Sequence, residues 1–166
     1  MQEYYTEAIV LDREPSGELD FRISLFTKKF GKLFAKAKSA RKIVSKLSGH
    51  LMPGNMADIR LVERNGFQVV DALKKGVAAA TFSDLISLNK ILADGEPESA
   101  LWNKVSFGGF SWPEALKILG WDPEFSTCSV CASPKPVAFD ITDQEFFCRK
   151  CSLNSGKKKL LFLSSS

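Results

Sequence analysis

Phe21-Arg22-Ile23-Ser24-Leu25-Phe26-Thr27-Lys28-Lys29-Phe30-Gly31-Lys32-Leu33-Phe34-Ala35-Lys36-Ala37-Lys38 is the stretch that decides how this chain folds. Phe21, Ile23 and Leu25 alternate with Arg22 and Ser24, the two-residue period of a half-buried strand. Lys29-Phe30-Gly31 reads as a turn. Leu33, Ala35 and Ala37 then alternate with Phe34, Lys36 and Lys38, so the next strand points small apolar residues inward and Lys36 and Lys38 outward.

Reading outward in both directions adds three more strands. Glu7 to Glu14 is the first, closed by Pro15-Ser16-Gly17. Downstream, Arg41, Lys42 and Lys46 fall in a loop with Ser39, Ser45, Ser48 and Gly49. Ala57, Ile59 and Leu61 alternate with Asp58 and Arg60 in a fourth strand, and Asn65-Gly66 is a hairpin turn because both residues tolerate positive φ. Phe67 to Leu73 returns as the fifth. Five strands in about 75 residues, with the long connection between the third and fourth, predict an OB-like barrel over 1–76; strand count alone also admits an SH3-like barrel.

A short helical region is expected over 77–122. Thr81 or Ser83 caps a helix running through Leu92, and Asp94-Gly95-Glu96-Pro97 stops it. Glu98 to Val105 follows, and Gly108-Gly109 interrupts. Ser111 caps a third helix with Pro113 in its first turn, which ends at Gly120. Trp102, Trp112 and Trp121 are expected to pack these helices. The fold class is therefore α+β: barrel, helices, and a cysteine module over 123–155, with 156–166 left as a basic and polar tail.

Cys128-Ser129-Val130-Cys131 and Cys148-Arg149-Lys150-Cys151 define that module. Sixteen residues, Ala132 to Phe147, separate the pairs, inside the roughly 15–20 expected of two CxxC turns sharing zinc. Four thiolates fill the tetrahedral shell of Zn²⁺ and leave no position for water or substrate, so the ion would be structural. Val137 to Ile141 and Glu145 to Phe147 read as a hairpin joining the two turns, as in a zinc ribbon. Ala132 and Ser152 stand where such turns often carry Gly. A redox or disulfide pair, four unrelated thiols, and iron in place of zinc are the competing readings.

Of 166 residues, 45% are hydrophobic, an ordinary globular share, and formal net charge is +4. Four thiolates on Zn²⁺ would add −2 and bring the chain near +2, so the distribution of charge matters more than its sum. Lys28, Lys29, Lys32, Lys36, Lys38, Arg41, Lys42 and Lys46 hold eight of the 23 cations with no acid among them. Such a run is usually a solvated edge. Here Phe26, Phe30 and Phe34 are interleaved with it, and a basic groove with aromatic faces is how single-stranded nucleic acid is held. Lys36, Lys38, Arg41 and Lys42 are the leading candidates; Lys28, Lys29, Lys32 and Lys46 flank them, and Phe34 is the candidate stacking residue.

An enzyme is disfavoured. Ser155-Gly156-Lys157 lacks the upstream glycine of a phosphate loop and is followed by Lys158. His50 is the lone histidine, in a Ser/Gly-flanked loop. Asp140 with Asp143 reads as a hairpin turn. No window is long and apolar enough to span a membrane, and Met1 to Glu7 lacks the basic start of a secretory signal. A cytoplasmic location is expected.

Gly31-Lys32-Leu33-Phe34-Ala35-Lys36-Ala37-Lys38-Ser39-Ala40-Arg41-Lys42, Leu51-Met52-Pro53-Gly54 and Ala115-Leu116-Lys117-Ile118-Leu119-Gly120-Trp121-Asp122-Pro123 running into Cys128 together resemble the RecO family of bacterial recombination mediators. Glu7-Ala8-Ile9-Val10-Leu11 and Gly17-Glu18-Leu19-Asp20 resemble that family's opening strand and turn. The resemblance implies a non-catalytic DNA repair factor, nucleoid-associated, that binds single- and double-stranded DNA, anneals strands and assists recombinase loading, with the RecR mediator and single-strand binding protein as partners. Against that family the helical middle is compressed and the segment after the cysteines is short. The alternative is a barrel and zinc ribbon that bind structured RNA or a protein.

Overall fold

The computed structural model describes residues 1–42, 45–156 and 159–163. The chain divides into two compact units, Met1–Gly108 and Gly109–Ser166.

The first unit is built on β1 (Gln2–Ser16), β2 (Asp20–Thr27), β3 (Gly31–Ala37), the one-turn α1 (Leu47–His50), β4 (Asn55–Glu63) and β5 (Phe67–Val77), followed by α2 (Phe82–Ile91) and α3 (Ser99–Phe107). The strands close into a barrel in the order β1-β2-β3-β5-β4 and back to β1, the OB-like arrangement expected. All neighbours are antiparallel except β3 and β5, which are parallel and meet only at Ala35–Phe67 and Lys36–Gln68. β1 serves two neighbours: Gln2–Ile9 pairs with β4 and Ala8–Ser16 with β2. The register shift between Val10 and Asp12 lets one strand turn that corner.

Inside lie Val10, Ile23, Leu25, Ile59, Leu61 and Val69, with alanines 8, 35, 37, 57 and 72 packed among them. Tyr4 meets Phe30 and Phe67 edge-on beside this core, with centroids 5.2 and 6.2 Å apart. The alternation in β2 predicts one buried face, yet every residue from Ile23 to Thr27 is buried. The outward face is covered too: the Phe26 ring packs at 5.5 Å against Trp102 of α3. α2 lies against β1 and begins at Thr81, whose Oγ1 accepts from the Asp84 amide at 3.2 Å.

Gly31 ties helices and barrel together. Its φ is +69°, and a Cβ there would fall 2.2 Å from the Glu96 carbonyl oxygen. Only glycine lets the 94–97 loop seat on the start of β3, where the Gly95 amide donates to the Lys32 carbonyl at 2.8 Å.

In the second unit α4 (Trp112–Ile118) ends where Gly120, at φ 101°, returns the Trp121 amide to the Leu116 carbonyl at 2.7 Å. A 3-10 turn, Pro123–Phe125, leads to β6 (Ala138–Asp140), β7 (Glu145–Phe147), α5 (Arg149–Asn154) and β8 (Leu160–Phe162). Trp121, Phe139 and Phe146 stack in series at 5.7 and 4.8 Å.

The 156–166 tail needs correction. Leu160–Phe162 pairs with β6, giving a three-stranded sheet in the order β7-β6-β8. The apolar run Leu160 to Leu163 gains a partner strand and burial of Leu163 at 8% exposure, which outweighs the polar character of its flanks. Lys157 and Lys158 lie outside the described residues. Among the described residues no helix is long and apolar enough to cross a membrane.

Candidate nucleic-acid interface and metal centre

The four sulfurs converge, all lying within 4.8 Å of one another. Cys131 Sγ and Cys148 Sγ stand 3.7 Å apart. That is far beyond a disulfide bond of about 2.05 Å, and it matches the roughly 3.8 Å edge of a tetrahedron with metal–sulfur bonds of about 2.3 Å. All four cysteines are free. The donor set and its spacing could therefore hold a metal ion.

The two CxxC turns reach this geometry differently. In the first, the Cys128 amide donates to the Ser133 carbonyl and the Ala132 amide to the Cys128 carbonyl, each at 2.9 Å. This turn forces Ala132 to φ 61°, the left-handed conformation in which glycine is ordinarily found. In the second, Cys148 caps α5, its sulfur accepting from the Cys151 amide at 3.4 Å, and Ser152 is an ordinary helical residue.

Burial raises the Cys128 thiol, but amide donation from Cys148, Cys131 and Val130 outweighs it and brings the pKa down to about 6. Ser133, from both hydroxyl and amide, lowers Cys131. Cys151 is pushed up to about 12, first by its contact with Cys148 and then by burial. One sulfur is thus ready to coordinate near neutrality, while another needs the ion itself to displace its proton.

On the barrel, Lys36 is exposed on the outer face of β3, and Lys38, Arg41, Lys42 and Lys46 are exposed in the turn and loop beyond it. The loop leaving β3 is pinned to the β1–β2 turn. Arg41 donates from its amide to the Leu19 carbonyl at 2.9 Å and from Nη1 to the Gly17 carbonyl at 3.1 Å. Asp20 joins the two, accepting from the Ser39 amide at 2.7 Å and pairing with Lys36 at 3.0 Å. The Ser39 amide, then Lys36, hold its carboxyl below the usual range.

Not every candidate belongs here. Lys28 and Lys29 sit in the turn before β3, so about 20 Å of strand separates them from its far end at roughly 3.3 Å per residue; Lys28 pairs with Glu7 at 3.6 Å. Lys32 is only 7% exposed. Its ammonium donates to the Asn89 carbonyl and faces Asp94 at 3.7 Å, so it fastens α2 and its following loop to the barrel and is not free to meet phosphate. Phe34 is half-buried, with the Arg22 guanidinium 4.1 Å from its ring centroid.

The strand order brings in cations that the linear run does not contain. A groove of 610 Å³ is lined by Lys36 of β3 and Lys38 just beyond it, Arg60 of β4, Arg64 of the β4–β5 hairpin, Phe67 and Gln68 of β5, and Glu3 of β1. Arg60 pairs with Glu3 at 3.3 Å. Alternation in β4 already turned Arg60 outward; only the β3-β5-β4 order brings it to the same groove as Lys36.

Residues 1–75 match the family described as Recombination protein O N terminal. Relatives carrying the name DNA repair protein RecO match across most of the chain. The one from Thermodesulfovibrio yellowstonii is 28% identical over 184 aligned residues, covering 90% of this chain and 70% of the relative. One from Thermoanaerobacter is 27% identical, covering 76% and 61%, and one from Bifidobacterium longum is 26% identical, covering 89% and 74%. The chain is shorter than the relatives it matches.

Proposed function

We propose that this chain is a member of the RecO family and a non-catalytic mediator of DNA repair and recombination, a reading supported by the match of residues 1–75 and by relatives 26–28% identical across most of the chain. Its barrel binds single- and double-stranded DNA through Lys36, Lys38, Arg41 and Lys42, helped by Lys46 and by the neighbouring Arg60 and Arg64. The observation that carries this reading is the convergence of Lys36, Lys38, Arg60 and Arg64 on one groove, with Arg41 and Lys42 exposed on the loop that follows β3. Cations on a concave face displace the counterions condensed on phosphates, a gain in entropy that asks for no base sequence. A surface of that kind suits a protein that brings complementary strands together and helps a recombinase load.

In the second unit the ion is Zn²⁺, held by Cys128, Cys131, Cys148 and Cys151, and its task is structural, since four protein thiolates complete its shell. The RecR mediator and single-strand binding protein are the expected partners. Phe125, Val130, Leu153 and Phe162, each exposed in the second unit, suit a protein-binding role for that unit.

A salt series with a labelled single-stranded oligonucleotide tests the barrel assignment. The logarithmic slope should be near −0.7 per neutralised phosphate, roughly. The variant K36E/K38E/R41E/K42E should bind far more weakly, with a flatter slope and an unchanged circular dichroism spectrum. Equal affinity in that variant would remove these residues from the interface. Lys32→Glu should instead lower stability, because it leaves a carboxylate against the Asn89 carbonyl and Asp94.

A further inference from the structure

A second groove lies beside the cationic one, and its chemistry is different. It is an open groove of 560 Å³, more apolar than the first, with Phe30, Leu33, Phe34 and Phe67 joined by Lys29 and Lys32 on the barrel side and Asp94, Gly95 and Pro97 on the other. Its volume is within the roughly 300–1,000 Å³ of small-ligand sites. Phe67 lines both grooves, so an aromatic side chain forms their common border. The far wall is fixed: the Gly95 amide is bonded to the Lys32 carbonyl, and Lys32 is bonded to Asn89. Arg22, 4.1 Å from the Phe34 ring centroid, is not among the residues lining the groove, whereas Lys32, with Nζ 5.1 Å from the same centroid, is.

We propose that this aromatic groove takes a nucleobase from a strand whose phosphates lie in the adjoining Lys36–Lys38–Arg60–Arg64 groove. The inference rests on the DNA-binding reading above and adds a preference to it. A base can enter only when it is unpaired and turned away from its neighbours, so the groove selects single strands over duplex. The charge pattern fits: the anionic backbone meets cations on one side of Phe67, and the flat apolar base meets phenylalanine on the other. Asp94 at the far wall is an acceptor for an exocyclic amino group, which adenine, cytosine and guanine carry and thymine lacks.

The test uses the full-length protein and a single-stranded oligonucleotide with one 2-aminopurine, whose fluorescence falls when it stacks. Wild type should quench it on binding and should favour the single strand over the matching duplex. Phe34→Ala should lose the quench and bind single strands about tenfold more weakly, with the salt slope and duplex affinity unchanged. Phe34→Leu should behave as Phe34→Ala does, while Phe34→Trp should restore the quench; this pair separates stacking from simple packing. Salt-dependent binding by wild type without quenching would overturn the base site and leave the phosphate groove standing. Absence of any oligonucleotide binding would overturn both. Equal quenching by Phe34→Ala would also sink the assignment.

Discussion

In the barrel, a closed ring of strands surrounds Ile23, Leu25, Leu61 and Val69, none more than 1% exposed. Beside the four thiols of the second unit, the buried cluster is Cys128, Ala138 and Phe147, and the strands there are three residues each. The barrel's order comes from apolar area removed from water and from edges paired all the way round. The cysteine module has little of either, and units of that size generally need a metal or cross-link to hold a fold. The difference teaches that one chain can carry two stabilities with separate controls: one set by side-chain packing, the other by an ion.

Removing the ion should have the largest effect. Structural zinc supplies about 10–16 kcal/mol of apparent binding energy in small domains, more than the cluster beside the thiols can replace. A strong chelator, or Cys128→Ser, should therefore abolish amide protection across β6, β7 and α5 and leave that of β1–β5 intact. Concerted loss of both would show that the two units fold as one. Acid should act in the same direction, because each ligand must be deprotonated to coordinate. Cys151, at about 12, releases a proton on metal binding at any ordinary pH, and Cys128, at about 6, contributes a further one only below that value. Metal affinity should thus fall as pH drops, and fall more steeply below about pH 6, as read by competition with a coloured indicator.

The converse perturbation is smaller. Leu25→Ala opens a cavity in the barrel core and should cost about 2–5 kcal/mol in urea unfolding, with metal affinity unchanged. A matched loss of metal would break the separation. The smallest expected effect sharpens the comparison from within the module. Ala132 holds φ 61°, so Ala132→Gly should relieve about 1 kcal/mol of backbone strain, seen as slower metal release to a chelator.

How much of this was legible in the sequence follows the same division. Strand alternation is local, so all five barrel strands and the β6–β7 hairpin could be read from period and turn residues. Strand lengths could not, because Asn55 and Met56 are held by pairing with Val77 and Gly76, and Gln2 to Thr6 by pairing with β4. The both-sided burial of β2 depends on Trp102, some 76 positions from Phe26 in the chain. Lys32 looked like its neighbours in the basic run; its burial follows from Asn89 and Asp94, which no pattern around Lys32 announces. Arg60 and Arg64 were visible as outward or loop residues, but their place in the same groove as Lys36 required the strand order. At the cysteines nearly everything was legible, since a CxxC spacing is itself a statement of geometry. The strand at Leu160–Phe162 escaped because it shows neither alternation nor a hairpin turn to a neighbour; its pairing with β6, some 20 residues back in the chain, makes it a strand.

The barrel's hoop is fastened by a narrow clasp. Eight residue pairs join β1 to β4, and two join β3 to β5. Thermal breathing should therefore begin at the clasp, where Ala35 and Lys36 lie against Phe67 and Gln68. Whatever grips Lys36 on one side and Phe67 on the other bridges that clasp and works as a latch. Occupancy of the barrel's outer surface and closure of its ring are then one event, and a strand lying there would make its own binding platform stiffer.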